Sequence, residues 1–245
     1  MLSSVTLAGA MISAWILSVP TVSALWKEMF VLALRLLPLQ GELQSDFRHF
    51  GAGVSVSLPY LAFDPVMPSP IVWTGTCIAV SVIFGLTFLL PSKLIPMTYL
   101  LRCVVFVQAS ALIYFAVLPA QFPYAPGDYL DGLLMSGTAL ILIVPLLFLF
   151  TYYIFPFSFL RKLILTLLTM AYLAAFLPFQ VMLHALLLQK SIMFMPVLYL
   201  VLGMPLDVLI IVALYAWGMT WQFRKSQTDV GQLRWPSKQR HSLTG

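Results

Sequence analysis

The sequence predicts an all-α fold, a polytopic transmembrane bundle of six helical spans with both termini on the inner side of the membrane. Of the 245 residues, 61% are hydrophobic and 9% are charged, whereas a soluble domain carries roughly a quarter charged residues. Apolar runs long enough to cross a bilayer follow one another closely and leave no room for a soluble domain. Basic residues favour one set of loops, which orients the bundle.

The chain divides into four segments. We assign residues 1–25 to the first span, residues 26–70 to an interfacial helix and an external loop, residues 71–222 to a bundle of five spans, and residues 223–245 to a basic cytoplasmic tail. No Lys or Arg precedes the first apolar stretch, which disfavours a cleaved signal peptide. The stretch is also a candidate signal anchor. If it were instead cleaved, five spans would remain.

The second segment is first amphipathic and then polar. Glu28 and Arg35 are seven residues apart, so they share one face of a helix. This pattern predicts a short helix that lies in the membrane interface and ends at Pro38. Residues 41–70 carry Gly and Pro at both ends, which predicts an ordered external loop long enough to suggest a function.

Five further apolar runs each reach the roughly 20 residues that span a bilayer core. They cover about 71–90, 94–119, 132–155, 163–187 and 194–222. Aromatic residues such as Trp26 and Trp217 cluster near the span ends and predict an interfacial belt. Prolines within or beside the spans delete backbone donors, so packed neighbours must compensate for them.

The basic residues predict the orientation. Eight of them lie on the side of the C-terminal tail and four on the opposite side, which satisfies the positive-inside rule. The eight are Lys93, Arg161, Lys162, Arg224, Lys225, Arg234, Lys238 and Arg240, and the four are Lys27, Arg35, Arg48 and Lys190. We therefore expect an integral protein of the plasma (cell inner) membrane with a cytoplasmic C-terminus.

Asp207 lies near the centre of the last apolar run, two residues after Pro205 and four after Gly203. A carboxylate facing lipid there would cost kilocalories, so we expect this face to look into the bundle. Arg102 lies at a similar depth in its own span and is a candidate counter-charge. The pair has two interpretations, a proton or ion switch and a buried salt bridge that specifies packing.

His184 and Gln180 are four residues apart and share a helix face near the outer end of their span. They predict a polar pocket in which His184 relays protons, or a histidine that bonds to a neighbouring helix, which we favour. Cys77 lies at a depth close to that of His184, so a thiol nucleophile with an imidazole base is a remote third interpretation.

Asp128 and Asp131 lie in the external connection before the third of the five runs. Two carboxylates three residues apart either cap the incoming helix or hold a cation, and we favour capping. No metal site and no cofactor are expected, because the two cysteines lack metal-ligand spacing and paired histidines at matched depth are missing.

Two main classes of function remain. The first is a multi-pass membrane subunit or assembly factor that binds partner proteins or lipids through its bundle and external loop. The alternative is a small proton- or ion-coupled transporter or channel that uses Asp207 and Arg102. An enzyme is not favoured, nucleic acid is not expected because the basic residues are dispersed, and the expected partners are the lipid bilayer and other membrane proteins.

Overall fold

The computed structural model describes residues 2–37, 39, 41–50, 54–154 and 158–231. Seven α-helices and one β-hairpin lie within these residues. The helices are α1 (Leu2–Leu36), α2 (Pro70–Leu86), α3 (Ile95–Val117), α4 (Pro126–Ile154), α5 (Phe159–Leu188), α6 (Met195–Leu202) and α7 (Met204–Gly231), and the strands are β1 (Glu42–Phe50) and β2 (Val54–Ala62).

Five helical segments are long and apolar enough to cross a membrane. They are Val5–Leu36, Ser92–Val117, Pro126–Tyr152, Phe159–Leu188 and Ile192–Thr220. The predicted helical fold and integral membrane character are confirmed to this extent. The first of the five predicted runs, residues 71–90, forms the shorter α2 of 17 residues, about 25 Å long against a hydrocarbon core of about 30 Å.

Helix α1 continues without a break to Leu36, where we predicted a span followed by a separate interfacial helix. One apolar stripe explains this continuity. Trp15, Val19, Trp26 and Phe30 recur at intervals of four, seven and four residues and are all buried against the bundle. Because the stripe crosses the predicted boundary at residue 25, packing holds both parts in one helix. Pro38, the predicted end signal, lies outside the described residues.

Trp26 also corrects the predicted aromatic belt. Its side chain is 1% exposed, and its indole nitrogen donates to the carbonyl oxygen of Ala174 at 2.9 Å. A buried indole needs a partner for its N–H group, and the backbone of α5 supplies that partner here. Trp26 therefore fixes α1 against α5 instead of anchoring α1 in the interface.

The predicted external loop contains a β-hairpin. Strands β1 and β2 pair antiparallel from Glu42 opposite Ala62 to Phe50 opposite Val54. Leu58 and Leu61 are buried because β2 packs on α1 and α4. Residues 54–58 alternate apolar and polar side chains after two glycines, which is the signal for a half-buried strand after a turn. That period-2 pattern could have predicted the strand.

The two central helices, α4 and α5, pack against each other closely enough to require a glycine. A Cβ atom on Gly137 would lie 2.5 Å from Cδ1 of Leu177. Helices α1 and α7 also pack on this pair. Helix α2 contacts α3, which contacts α6, and α2 itself buries none of its residues. The core therefore lies mainly between α1, α4 and α5, with buried residues of α3, α6 and α7 packed against them, and α2 is peripheral.

The predicted basic tail, residues 223–245, begins inside a helix. The backbone of α7 remains helical to Gly231. Residues 232–245 lie outside the described part of the chain, so this part of the tail prediction stays a prediction.

We predict that Gly41→Ala destabilises the base of the hairpin. Gly41 has φ +149°, which L side chains rarely adopt, and an added Cβ would lie 2.8 Å from the carbonyl oxygen of Ala62. The expected loss is about 1–2 kcal/mol of unfolding free energy, measured by denaturant titration in micelles. The control is Gly132→Ala, since nothing lies within 4 Å of its added Cβ. Equal stability of Gly41→Ala and the wild type would contradict the strain.

Candidate functional site

The last membrane-spanning segment is interrupted. Helix α6 ends at Leu202, Gly203 adopts an extended conformation with φ −88° and ψ −151°, and α7 begins at Met204. Pro205 has no N–H group to continue the hydrogen-bond ladder. A Cβ on Gly203 would collide with the carbonyl oxygen of Tyr199. The Gly and Pro of this motif therefore produce a break that leaves carbonyl groups at the end of α6 in need of donors.

Two side chains of α5 supply donors to the end of α6. The amide nitrogen of Gln180 donates to the carbonyl oxygen of Leu202. Nε2 of His184 lies 3.3 Å from the carbonyl oxygen of Leu198, and its Nδ1 lies 2.7 Å from the carbonyl oxygen of Gln180. Both side chains are buried, at 2% and 0% exposure. The predicted pairing of Gln180 and His184 on one face is what places both groups against α6.

Asp207 completes this site, which we call the polar junction: Gln180, His184 and Asp207 with the carbonyl groups of Leu198 and Leu202. Asp207 lies in the first turn of α7 and is 4% exposed. Its carboxyl group lies close enough to the side chain of Gln180 for the two to interact. The N-terminus of a helix also favours a carboxylate, because its free N–H groups carry partial positive charge. Asp207 therefore faces the bundle as expected.

Arg102 does not belong to the polar junction, which corrects the predicted pair with Asp207. Nε of Arg102 donates to Oγ1 of Thr87 at 3.2 Å, and its guanidinium lies 4.9 Å from the ring centroid of Phe88. Matched depth in the membrane suggested the pairing, but depth does not define which way a helix face points. The residues that Arg102 contacts form the turn after α2, so its charge stabilises the α2–α3 connection.

The two acids predicted to lie in an external connection are both inside α4, which begins at Pro126. The helix starts six residues before the predicted position 132, because a proline is favoured in the first helical turn. Asp128 is exposed in the first turn, where the helix dipole favours it. Asp131 is buried. Within the described residues, no group of three or more His, Cys, Asp or Glu is placed to hold a metal ion.

The remote thiol interpretation is not supported by the geometry of His184. Its two ring nitrogens lie beside the backbone carbonyl oxygens of Gln180 on α5 and Leu198 on α6. Cys77 is a free, partly buried cysteine of α2, the helix that packs on α3. The structure therefore brings His184 together with Gln180 and Asp207 and leaves Cys77 elsewhere.

Sequence reasoning missed three residues around the polar junction. The ring of Tyr129 lies 5.8 Å from that of His184 and 6.5 Å from that of Tyr199. Gln108 is buried, and its amide nitrogen lies 3.5 Å from the carbonyl oxygen of Met193. A glutamine in the middle of an apolar run was a visible signal for Gln108. The tyrosines carried no such signal, because tyrosine is common at span ends.

The polar junction combines two groups that can hold a proton, Asp207 and His184, linked through Gln180. A neutral imidazole donates through one ring nitrogen, whereas the imidazolium donates through both. Each ring nitrogen of His184 faces a carbonyl oxygen. The Oε1 atom of Gln180 has no hydrogen-bond partner within the described residues. Chemically, the junction can stabilise a helix break or hold a proton.

Comparison of the chain with protein-family models, curated proteins and solved structures gives no match.

We predict that Gln180→Leu lowers the unfolding free energy by about 1–3 kcal/mol, because it leaves the Leu202 carbonyl and the Asp207 carboxyl without their amide donor. Denaturant titration in micelles measures the loss. The matched control is Gln108→Leu, since Gln108 makes a long hydrogen bond of 3.5 Å and its Oε1 has no hydrogen-bond partner within the described residues. We expect the control to be neutral or stabilising. Equal effects of the two substitutions would show that the junction has no special structural role.

Proposed function

We propose that this protein is a non-enzymatic membrane subunit or assembly factor that binds a partner membrane protein through the exposed face of α2. The observation that supports the proposal is the composition of that face. Helix α2 buries none of its residues, and its exposed positions combine large aliphatic side chains such as Ile71 and Ile78 with small ones. The small residues are Thr74, Gly75, Ala79, Ser81 and Gly85.

Small residues at this spacing favour contact between helices within a membrane. Gly75 and Ala79 are four residues apart, as are Ser81 and Gly85, and such pairs let two backbones approach closely. Nothing lies within 4 Å of a Cβ built on Gly75 or Gly85. Helix α3 contains no glycine and presents Phe106 at 75% exposure. The small residues of α2 therefore favour a partner helix on that face.

The proposed topology has six spans, with both termini in the cytoplasm and the hairpin outside. In this topology α2 crosses the membrane together with the turn of residues 87–90. A helix shorter than the hydrocarbon core favours association with neighbours, which reduces the cost of mismatch. The distribution of basic residues supports this orientation. The plasma (cell inner) membrane is the proposed location.

We predict that Gly75→Leu abolishes co-purification of the partner while the protein remains folded and inserted. The leucine side chain projects from the face where another helix would approach, and the space around it is open. The measurement is affinity purification after gentle solubilisation, with quantitative mass spectrometry of stoichiometric proteins. We expect a loss of partner of at least about tenfold, since close packing of small residues is what the leucine removes.

The matched control is Gly9→Leu, an exposed helical glycine of α1 that also has nothing within 4 Å of its added Cβ. This control adds the same apolar side chain to a different helix. If the wild type yields no stoichiometric partner, or if both leucine variants lose it equally, the proposal for α2 is wrong.

A second candidate function is proton- or ion-coupled transport through the polar junction. Discontinuous helices with polar groups at the break are typical of ion sites in secondary transporters. Asp207 lies beside the side chain of Gln180, whose Oε1 has no hydrogen-bond partner within the described residues. The Gln180 amide can donate to ionised Asp207, and its oxygen can accept from protonated Asp207. The junction therefore has a suitable arrangement for either protonation state.

Under this second function, Asp207→Asn abolishes proton flux into proteoliposomes, measured with an entrapped pH-sensitive dye, because asparagine cannot exchange a proton. Arg102→Gln is the control, since Arg102 binds Thr87 outside the junction, and it should keep most of the flux. Flux of the wild type no greater than that of empty liposomes excludes transport of protons. A partner that depends on Gly75 together with absent flux supports the first function.

A further inference from the structure

Two adjoining cavities lie where the hairpin meets the ends of α1 and α5. The first has a volume of about 610 Å³ and is lined by both polar and apolar residues at the base of the hairpin and the end of α5, among them Glu42, Asp64 and Lys190. The second has a volume of about 440 Å³ and is lined entirely by apolar residues. Both volumes fall in the range of small-molecule sites, about 300–1,000 Å³.

The apolar cavity is a groove between two helices. Helix α1 contributes Met29, Leu32 and Leu36 at helical spacing, and α5 contributes Phe179 and Leu183 in the same way. The groove therefore runs along the membrane-embedded faces of both helices. It is open to the hydrocarbon region beside it, where an acyl chain is the available occupant.

The two cavities share a wall. Leu186 lines both of them, one turn beyond Leu183 on α5. The segment that follows the hairpin is held beside the end of α5, because the backbone N–H of Ile192 donates to the carbonyl oxygen of Val66 at 2.9 Å. A polar chamber above an apolar groove matches an amphiphile with a headgroup and a chain.

The charges of the polar cavity indicate the headgroup. Glu42 and Asp64 each supply a carboxylate and Lys190 supplies an ammonium group, and these three form no ion pair with one another in the described part of the chain. Two anions and one cation complement a headgroup that carries both a phosphate and an amine. A charge-assisted hydrogen bond can form at each of these groups.

We propose that this site binds a phospholipid with a primary-amine headgroup of the phosphatidylethanolamine type. The phosphate contacts Lys190, the ammonium group contacts Glu42 and Asp64, and one acyl chain occupies the groove beside Leu183. A trimethylated choline headgroup has no N–H donor for the carboxylates, and a glycerol headgroup has no positive charge. The site therefore selects a headgroup whose nitrogen is positively charged and carries N–H donors. This inference does not depend on partner binding by α2.

The test is native mass spectrometry of the full chain in detergent, titrated separately with phosphatidylethanolamine, phosphatidylcholine and phosphatidylglycerol of identical acyl chains. We expect the ethanolamine lipid to bind about tenfold more tightly than the choline lipid, the size of one charge-assisted hydrogen bond. Free phosphorylethanolamine, which lacks the chains, should compete poorly because the groove supplies much of the affinity.

The variants separate the contributions of the two cavities. Asp64→Asn should reduce the preference for ethanolamine over choline to about twofold or less, because it removes one carboxylate partner of the amine. Lys190→Ala should weaken the binding of the ethanolamine and choline lipids equally, since both carry the phosphate. Leu183→Trp should weaken the binding of all three lipids, because the larger side chain fills the groove. The controls are Asp128→Asn and Lys93→Ala, exposed charges that do not line either cavity.

Equal affinity for the ethanolamine and choline lipids would overturn the proposal, and so would a preference for phosphatidylglycerol, which would identify an anionic-lipid site. Tight binding of free phosphorylethanolamine that is insensitive to Leu183→Trp would identify a soluble ligand instead. Elution volume and thermal midpoint of each variant are measured in parallel. If Asp64→Asn loses its fold, Glu42→Gln provides the second test of the amine contact.

Discussion

A carbonyl group released by a helix break inside a membrane must accept a hydrogen bond from the protein, because lipid provides none. In this chain Gly203 and Pro205 create the break, and the amide of Gln180 on α5 donates to the carbonyl oxygen of Leu202 beside it. This requirement fixes α5 against the last span. A slip of α5 by one turn would move this donor away from α6 and leave the Leu202 carbonyl group unsatisfied.

The position of α5 in turn fixes the other helices of the core. Gly137 of α4 approaches Leu177 of α5, and Gly218 of α7 approaches Leu165 of α5, each without space for a larger side chain. Trp26 joins α1 to α5 through its indole hydrogen bond. Four helices are therefore packed by specific contacts with α5 or through it. Helix α2 is joined to α3 by the indole of Trp73, which donates to the carbonyl oxygen of Leu112 at 3.1 Å. It buries none of its residues, so its outer face is available for another molecule.

The sequence predicted what depends on hydropathy and local spacing. Long apolar runs predicted the membrane-spanning helices, and the interval of four residues between Gln180 and His184 predicted their shared face. The partner of Arg102 was not predictable in this way, because a depth in the membrane carries no information about the direction of a helix face. The hairpin differs, because residues 41–70 have the polarity and length of a loop and only the alternation in residues 54–58 indicates a strand.

The balance between the two proposed functions depends on how fully the polar junction is used by the fold. The amide of Gln180 and both ring nitrogens of His184 already contact backbone carbonyl groups. A transport cycle that breaks these contacts leaves buried acceptors unpaired, at a cost of roughly 1–3 kcal/mol each. Nothing lies within 4 Å of a Cβ built on Gly75 or Gly85 of α2. Within the described residues, Glu42, Asp64 and Lys190 form no ion pair with one another. Their residue types are therefore better explained by contact with other molecules, which favours a binding subunit over a transporter.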